Sequence, residues 1–154
     1  MESQDRVNNI APPAFIYVGG LMIGLLMHWL FPVQVLPAPF AVGISILLFV
    51  VSGPLAITAL RAFSRAKTTY FFSEPTSAIV TDGPYRFSRN PGYVSLTLLF
   101  FGIGFLVNSL WVLIMVLPAV TVIHIGVVKR EERYLEANFG DEYREFKTAV
   151  RRWV

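Results

Sequence analysis

Hydrophobic residues fill two long stretches of this chain that contain no charged residue. Residues 7–60 have no Asp, Glu, Lys or Arg, and neither do residues 90–128. A soluble domain carries charges along its surface helices and strands. A bilayer excludes them, since a charge at the centre of a spanning helix costs roughly 2.5–3.5 kcal/mol. The pattern therefore predicts an integral membrane protein whose chemistry lies where its charges are.

Turn-forming residues divide the two uncharged stretches into four predicted transmembrane helices. Three prolines in residues 32–39 break the first stretch, and the polar pair Asn108-Ser109 breaks the second. We expect an all-α fold, a membrane helical bundle that forms one domain over residues 1–154. The predicted spans are residues 14–31, 40–60, 93–107 and 110–128, followed by a tail over residues 129–154. Gly20-x-x-x-Gly24 in the first span allows a close helix contact, within the protein or between protomers.

The composition narrows the function classes. The chain is 55% hydrophobic and has no cysteine, which excludes disulfides, thiol nucleophiles and thiolate metal sites. The two histidines, His28 and His124, are too far apart to indicate a metal site. A net charge of +3 is small, and we interpret it as a topology signal rather than as affinity for nucleic acid.

The charges also predict an orientation. All 13 Lys and Arg lie in the N-terminal segment, the loop between spans two and three, and the tail. Four spans bring these segments to one side, and the positive-inside rule makes that side the cytoplasm. We therefore expect both termini in the cytoplasm of a bacterium or archaeon, with the protein in its inner membrane.

The loop over residues 76–93 contains the first cluster of candidate functional residues. Gly83-Pro84 and Asn90-Pro91 are turn signals, and a residue that precedes proline avoids the helical region. Non-helical backbone at membrane depth is tolerated where it is buried in protein or lines a cavity. The segment is therefore either a cradle for a small molecule or an ordinary loop before a helix, with two basic anchors.

The tail contains the second cluster. Span four should continue as a helix that carries Glu131 and Glu132, which are either functional or part of a solvated face. Gly140 should end that helix. In the helix that follows, Tyr143, Phe146 and Val150 form an apolar stripe, and this amphipathic helix either lies on the membrane or folds back onto the core.

Taken together and in this order, the two clusters resemble the isoprenylcysteine carboxyl methyltransferase family and its relatives, the phospholipid methyltransferases. The resemblance rests on Gly-Pro-Tyr-x-x-x-Arg-Asn-Pro-x-Tyr, which begins at Gly83, and on Glu-Glu-x-x-Leu-x-x-x-Phe-Gly-x-x-Tyr-x-x-Phe, which begins at Glu131. It covers residues 77–153. These enzymes are membrane-embedded and transfer the methyl group of S-adenosylmethionine to a lipophilic acceptor. The resemblance thus implies this cofactor, a small lipophilic acceptor and contact with the bilayer; it leaves the oligomeric state open.

The resemblance also implies a cofactor pocket in the loop and the tail. It falls on Ser77, Ala78, Ile79, Val80, Tyr85, Asn90, Pro91, Gly92, Tyr93 and Glu131. Many relatives have His in place of Asn90. We identify no catalytic residue, but Arg89, Tyr93 and Arg130 are candidates for positioning the reactants. His124 lies seven residues before Glu131, so it is either on the same helix face, at the cofactor, or part of an interhelical hydrogen bond.

One departure from the family concerns the acceptor. The prenylcysteine enzymes have an arginine one turn before the glutamate, where this chain has Val127 with Lys129 and Arg130 nearby. An acceptor carboxylate would then lack its partner, so we expect a neutral or amine-bearing lipophile. Two other readings stay open: a non-catalytic membrane binding or assembly protein, and a nicotinamide-dependent enzyme similar to sterol reductases.

Overall fold

The computed structural model of the protein describes residues 12–66 and 78–154. The predicted all-α fold is confirmed, since all the secondary structure in these two ranges is helical. The helices are α1 (Pro13–Leu30), α2 (Ala38–Arg65), a 3₁₀ turn (Gly83–Arg86), α3 (Pro91–Leu106), α4 (Leu110–Ile123), a π-helical turn (His124–Val128), α5 (Lys129–Phe139) and α6 (Asp141–Ala149).

Prolines explain where several helices begin. A proline lies in the first turn of α1, α2 and α3, where it has no intrahelical hydrogen bond to lose and its φ already suits a helix. Helix α2 continues to Arg65, five residues past the end of the predicted span, so Arg61 and Arg65 are helical. The predicted span ended at the first charged residue, but a helix can continue beyond the membrane that its apolar part crosses.

Within residues 12–66 and 78–154, three segments are long and apolar enough to cross a membrane: Pro13–Leu30, Ala38–Arg65 and Leu110–Phe139. Helix α3 is apolar too, but its 16 residues rise only about 24 Å. Large apolar side chains such as Phe40, Val50 and Leu117 are exposed on the outer faces. In water such a surface would be unstable, so it is the lipid-facing surface of an integral membrane protein.

The helices pack closely at small residues. Helix α2 packs along α3, α1 packs along α4, and α3 also contacts α4. At Gly24 in α1, an added Cβ would lie 2.8 Å from Cα of Val112 in α4. Gly20, one turn earlier, faces the rings and methyl groups of Phe100 and Ala119. The Gly-x-x-x-Gly pair therefore serves a contact within the protein.

The bundle has an uncharged end, where the turn between α1 and α2 meets the turn between α3 and α4. Asn108 joins them: its Oδ1 accepts hydrogen bonds from the backbone N–H groups of Val35 and Leu36, and its Nδ2 donates to the Leu36 carbonyl at 2.6 Å. The indole of Trp111 donates to the Phe31 carbonyl, also at 2.6 Å. Asn108 has a φ of +52°, a conformation that asparagine adopts more readily than most residues.

The opposite, charged end carries the last turn of α2, residues 78–90 and everything after α4. Here Ala59 and Ala62 of α2 pack with Val80 and Tyr85, and Phe146 of α6 covers them. Gly140, at φ +54°, turns the chain between α5 and α6, as predicted. Helix α6 folds back onto the protein rather than lying apart from it, because Tyr143 is almost fully buried.

Candidate functional site

The link between α4 and α5 determines which way the acidic residues of α5 point. The chain makes one π-helical turn over His124–Val128 before α-helical geometry resumes at Lys129. A π turn holds about one residue more than an α turn and is frequent at functional sites. It rotates α5 relative to α4, and the first turn of α5 then places Glu131 and Glu132 inside the protein, 5% and 7% exposed.

A cleft of about 680 Å³, counting its open mouth, lies against these glutamates at the charged end. The space inside it that a water-sized sphere can enter is about 70 Å³, which is smaller than the volume of about 300–1,000 Å³ that is usual for small-molecule sites. The lining residues come from α2, the loop, α3, α5 and α6: Phe63, Ala78, Ile79, Val80, Tyr85, Arg89, Asn90, Gly92, Tyr93, Glu131, Glu132, Leu135, Tyr143 and Phe146. The walls are mostly apolar or aromatic, with a few charged groups that converge on one side.

Glu131 is held by a tyrosine of α3. The Tyr93 hydroxyl donates a hydrogen bond of 2.7 Å to Oε1 of Glu131, and both residues are buried. Hydrogen bonds to a carboxylate are among the stronger ones in proteins. The bond fixes the orientation of the carboxylate in the cleft wall.

Glu132 lies between two arginines. Nη1 of Arg89 is 3.0 Å from its Oε1, and Arg152 donates from Nε and Nη2 to its two oxygens, both at 2.8 Å. These hydrogen bonds raise the pKa of Arg152, and burial raises the pKa of the neighbouring Tyr143. The Arg89 side chain is only 8% exposed, and its Nε has no hydrogen-bond acceptor among the residues that the structure describes.

The structure brings most of the predicted site residues together. Eight of the predicted cofactor-binding residues line the cleft: Ala78, Ile79, Val80, Tyr85, Asn90, Gly92, Tyr93 and Glu131. Arg89 lines it as well. Pro91 is buried at the start of α3 and Arg130 lies on α5, but neither is part of the lining. Ser77 lies outside the described residues.

His124 does not line the cleft. The expectation that it shares a helix face with Glu131 assumed an uninterrupted α-helix, and the π turn between them shifts the register. Nδ1 of His124 instead accepts a hydrogen bond of 3.3 Å from the indole of Trp153. Trp153 follows the end of α6 and is not helical, so this bond is not the interhelical hydrogen bond that the sequence suggested.

Sequence reasoning did not identify several residues of the lining. Phe63 is on α2, and Leu135, Tyr143 and Phe146 are in the tail. The apolar stripe of α6 was the available signal for the last two, because a helix that folds back must cover something. Nothing in the sequence distinguishes Glu132 from Glu131. The two side chains point in different directions from the same helix, and the sequence alone does not say which of them faces a cleft.

The comparisons with known proteins agree with this geometry. Residues 40–142, more than half of the chain, match the family described as phospholipid methyltransferase. The chain belongs to the phospholipid methyltransferase family. The matched range includes all but the first two residues of α2, the loop, α3, α4 and α5, and thus most of the cleft.

The other comparisons add little. A segment of 27 residues is 63% identical to an uncharacterized protein of Haemophilus influenzae; it covers 18% of this chain and 43% of that protein. The chain thus matches less than half of the length of that curated relative. No solved structure matches the chain. Membership of the phospholipid methyltransferase family therefore carries the identification, and it indicates a membrane methyltransferase.

Proposed function

We propose that the protein transfers the methyl group of S-adenosylmethionine to a small lipophilic acceptor at the cytoplasmic face of the membrane. The observation that carries the proposal is the buried carboxylate of Glu131, fixed by Tyr93 in the wall of a cleft at the charged end of an apolar bundle. Membership of the phospholipid methyltransferase family supports the reaction type.

The residues of the cleft suit this cofactor. Its sulfonium and ammonium groups are positive, and Glu131 offers a carboxylate to them. Its carboxylate is negative, and Arg89 has a donor in Nε to which no described residue bonds. Apolar and aromatic walls from Val80, Tyr85 and Phe63 can hold the adenine ring.

When bound, S-adenosylmethionine supplies an electrophilic methyl group, and the electrons of the broken bond stay on its sulfur. Such an in-line displacement needs proximity, orientation and little water more than it needs a strong acid or base. The chain provides these conditions: Tyr93 orients Glu131, Arg89 and Arg152 neutralise Glu132, and the apolar wall excludes water. The position at the end of the bundle allows a water-soluble cofactor and a lipid-soluble acceptor to meet.

The cofactor assignment predicts a binding preference. We expect the detergent-solubilised protein to bind S-adenosylhomocysteine saturably in a calorimetric titration and not to bind NADPH. Binding of NADPH alone would favour the reductase-like alternative. Binding of neither would point to a non-catalytic membrane protein and would refute the proposal.

The acceptor assignment predicts a substrate preference. Val127 is fully buried in the apolar core, and neither Lys129 nor Arg130 lines the cleft, so Arg89 is the one cation among its described lining residues and it already pairs with Glu132. The remaining donor of Arg89 is assigned above to the carboxylate of the cofactor, so an acceptor carboxylate would meet no further cation among the described lining residues, which favours an amine or neutral head group. We expect labelled methyl transfer to an amine-headgroup lipid to exceed that to a farnesylated cysteine analogue, and efficient, saturable methylation of the farnesyl compound would overturn this.

The orientation predicts the outcome of a reporter experiment. A reporter fused after Val154 should report the cytoplasm, and one inserted at Pro37, in the turn at the uncharged end, should report the outside. The same side for both reporters would require an even number of membrane crossings after Pro37, whereas the four-span arrangement has three, and it would refute that arrangement.

A further inference from the structure

The segment after α6 runs along the loop that precedes α3. At Val150 the chain becomes extended, and the Arg151 carbonyl accepts a hydrogen bond of 2.9 Å from the backbone N–H of Arg89. The Arg152 carbonyl accepts one of 2.9 Å from Nδ2 of Asn90 and a longer one, 3.5 Å, from the Ser88 hydroxyl. Residues 88–90 of the loop are thus bonded to residues 151–152.

The same segment is fastened on its other side. The Arg152 side chain makes its two bonds of 2.8 Å to Glu132 in the first turn of α5. Trp153 donates to His124 in the π turn. Residues 151–153 therefore bridge the loop on one wall of the cleft and the helix on the other, and we call them the strap.

The loop depends on such external support. Asn90 has φ −130° and ψ +50°, outside both helical and strand geometry, and the following Pro91 restricts it further. The amide of Arg89 and the side chain of Asn90 take their acceptors from the strap. Asn90 lines the cleft, but its side-chain Nδ2 already donates to the Arg152 carbonyl of the strap. Asn90 therefore contributes to the site mainly through the position of its backbone.

We infer that the strap positions the cofactor loop, with Arg152 and Glu132 as positioning residues that set the distance between residues 88–93 and Glu131. This inference rests on the proposed function for its effect on the cofactor, although the strap contacts themselves do not. The match to the phospholipid methyltransferase family ends at residue 142, before the strap begins. Arg89, which lies between Glu132 and the Arg151 carbonyl, connects the two sides.

The first test shortens the chain. A variant that ends at Val150 keeps the residues of α1–α6 and loses the strap, while a variant that lacks only Val154, which is 82% exposed, is its matched control. In the variant that ends at Val150, we expect amide hydrogen exchange of residues 89–93 to become at least 10-fold faster in the ligand-free protein, with α1–α4 unchanged. The affinity for S-adenosylhomocysteine should fall at least 10-fold. Wild-type exchange at Arg89 would overturn the inference, and so would wild-type affinity of this variant for S-adenosylhomocysteine.

The second test uses a full-length variant, so the inference can be tested even if the shortened protein misfolds. Arg152→Gln removes the charged pair with Glu132, and Arg152→Lys keeps the charge but not the two-pronged geometry. We expect the KM for S-adenosylmethionine to rise about 10-fold in Arg152→Gln and less in Arg152→Lys, while kcat at saturating cofactor stays within twofold. A drop in kcat with an unchanged KM would indicate a merely structural role and overturn the inference.

The two arms separate this inference from the proposed function. If the wild-type protein binds no S-adenosylhomocysteine, the proposed function fails, and the exchange rates of residues 89–93 alone decide whether the strap holds the loop. If the wild-type protein binds it and the shortened variant binds it equally well, the strap inference fails and the proposed function stands.

Discussion

Replacing Glu131 with Ala should weaken the binding of S-adenosylhomocysteine by about 10- to 150-fold, while the protein still folds. The variant removes a buried carboxylate that Tyr93 orients toward the cleft. The loss of a hydrogen bond to a charged group costs about 1.5–3 kcal/mol, and each 1.4 kcal/mol is a factor of ten in affinity. A calorimetric titration of the purified variant measures the change.

The chain offers a matched control on the same helix. Glu136 pairs with Arg144 and Lys147 outside the cleft, so Glu136→Ala should leave the affinity unchanged. Tyr93→Phe should give an intermediate loss, because the carboxylate stays but loses its orienting bond. If Glu131→Ala binds normally and Glu132→Ala does not, the cofactor lies against Glu132 and the assignment is wrong by one residue.

A single methyl group at Gly24 should destabilise the bundle. Because the added Cβ would lie 2.8 Å from backbone Cα of Val112, helices α1 and α4 must move apart. Overpacking of this kind costs typically 1–3 kcal/mol. We expect Gly24→Ala to lower the free energy of unfolding by this amount in a titration with a denaturing detergent.

Gly19 provides the control in the same helix. An added Cβ there meets nothing within 4 Å, so Gly19→Ala gains the same helix propensity without the clash. The difference between the two variants isolates the helix contact. Equal free energies of unfolding would mean that α1 and α4 do not pack at Gly24.

The sequence predicted the positions of the helices along the chain better than it predicted which side chains of a helix face the cleft. Uncharged stretches and prolines indicate helices because the bilayer and the backbone impose those rules on every chain. The residues of the loop and Glu131 came from a family resemblance, and the structure places most of them around one cleft. The position of His124 could not be predicted, because nothing in His-Ile-Gly-Val-Val indicates a π-helical turn. One extra residue in a helical turn changes the helix face on which a side chain lies.

Tertiary contacts over a long sequence separation were also beyond a reading of the sequence. Arg152 lies 20 residues from Glu132 and 62 from Asn90, and it contacts both. Glu132 alone looks like a solvated residue of a charged helix. It becomes a buried acceptor only because two arginines from distant segments arrive beside it, and local periodicity contains no information on either.

The hydrogen bonds of Asn108 and Trp111 at the uncharged end limit where the helices can separate. One amide and one indole tie the α1–α2 turn to the α3–α4 turn through backbone groups, so the helices cannot separate there without breaking several bonds at once. If the helices separate to admit a lipid tail, they therefore separate at the charged end, while their ends at the uncharged end stay together. A methyl acceptor would then enter and leave on the same side as the cofactor.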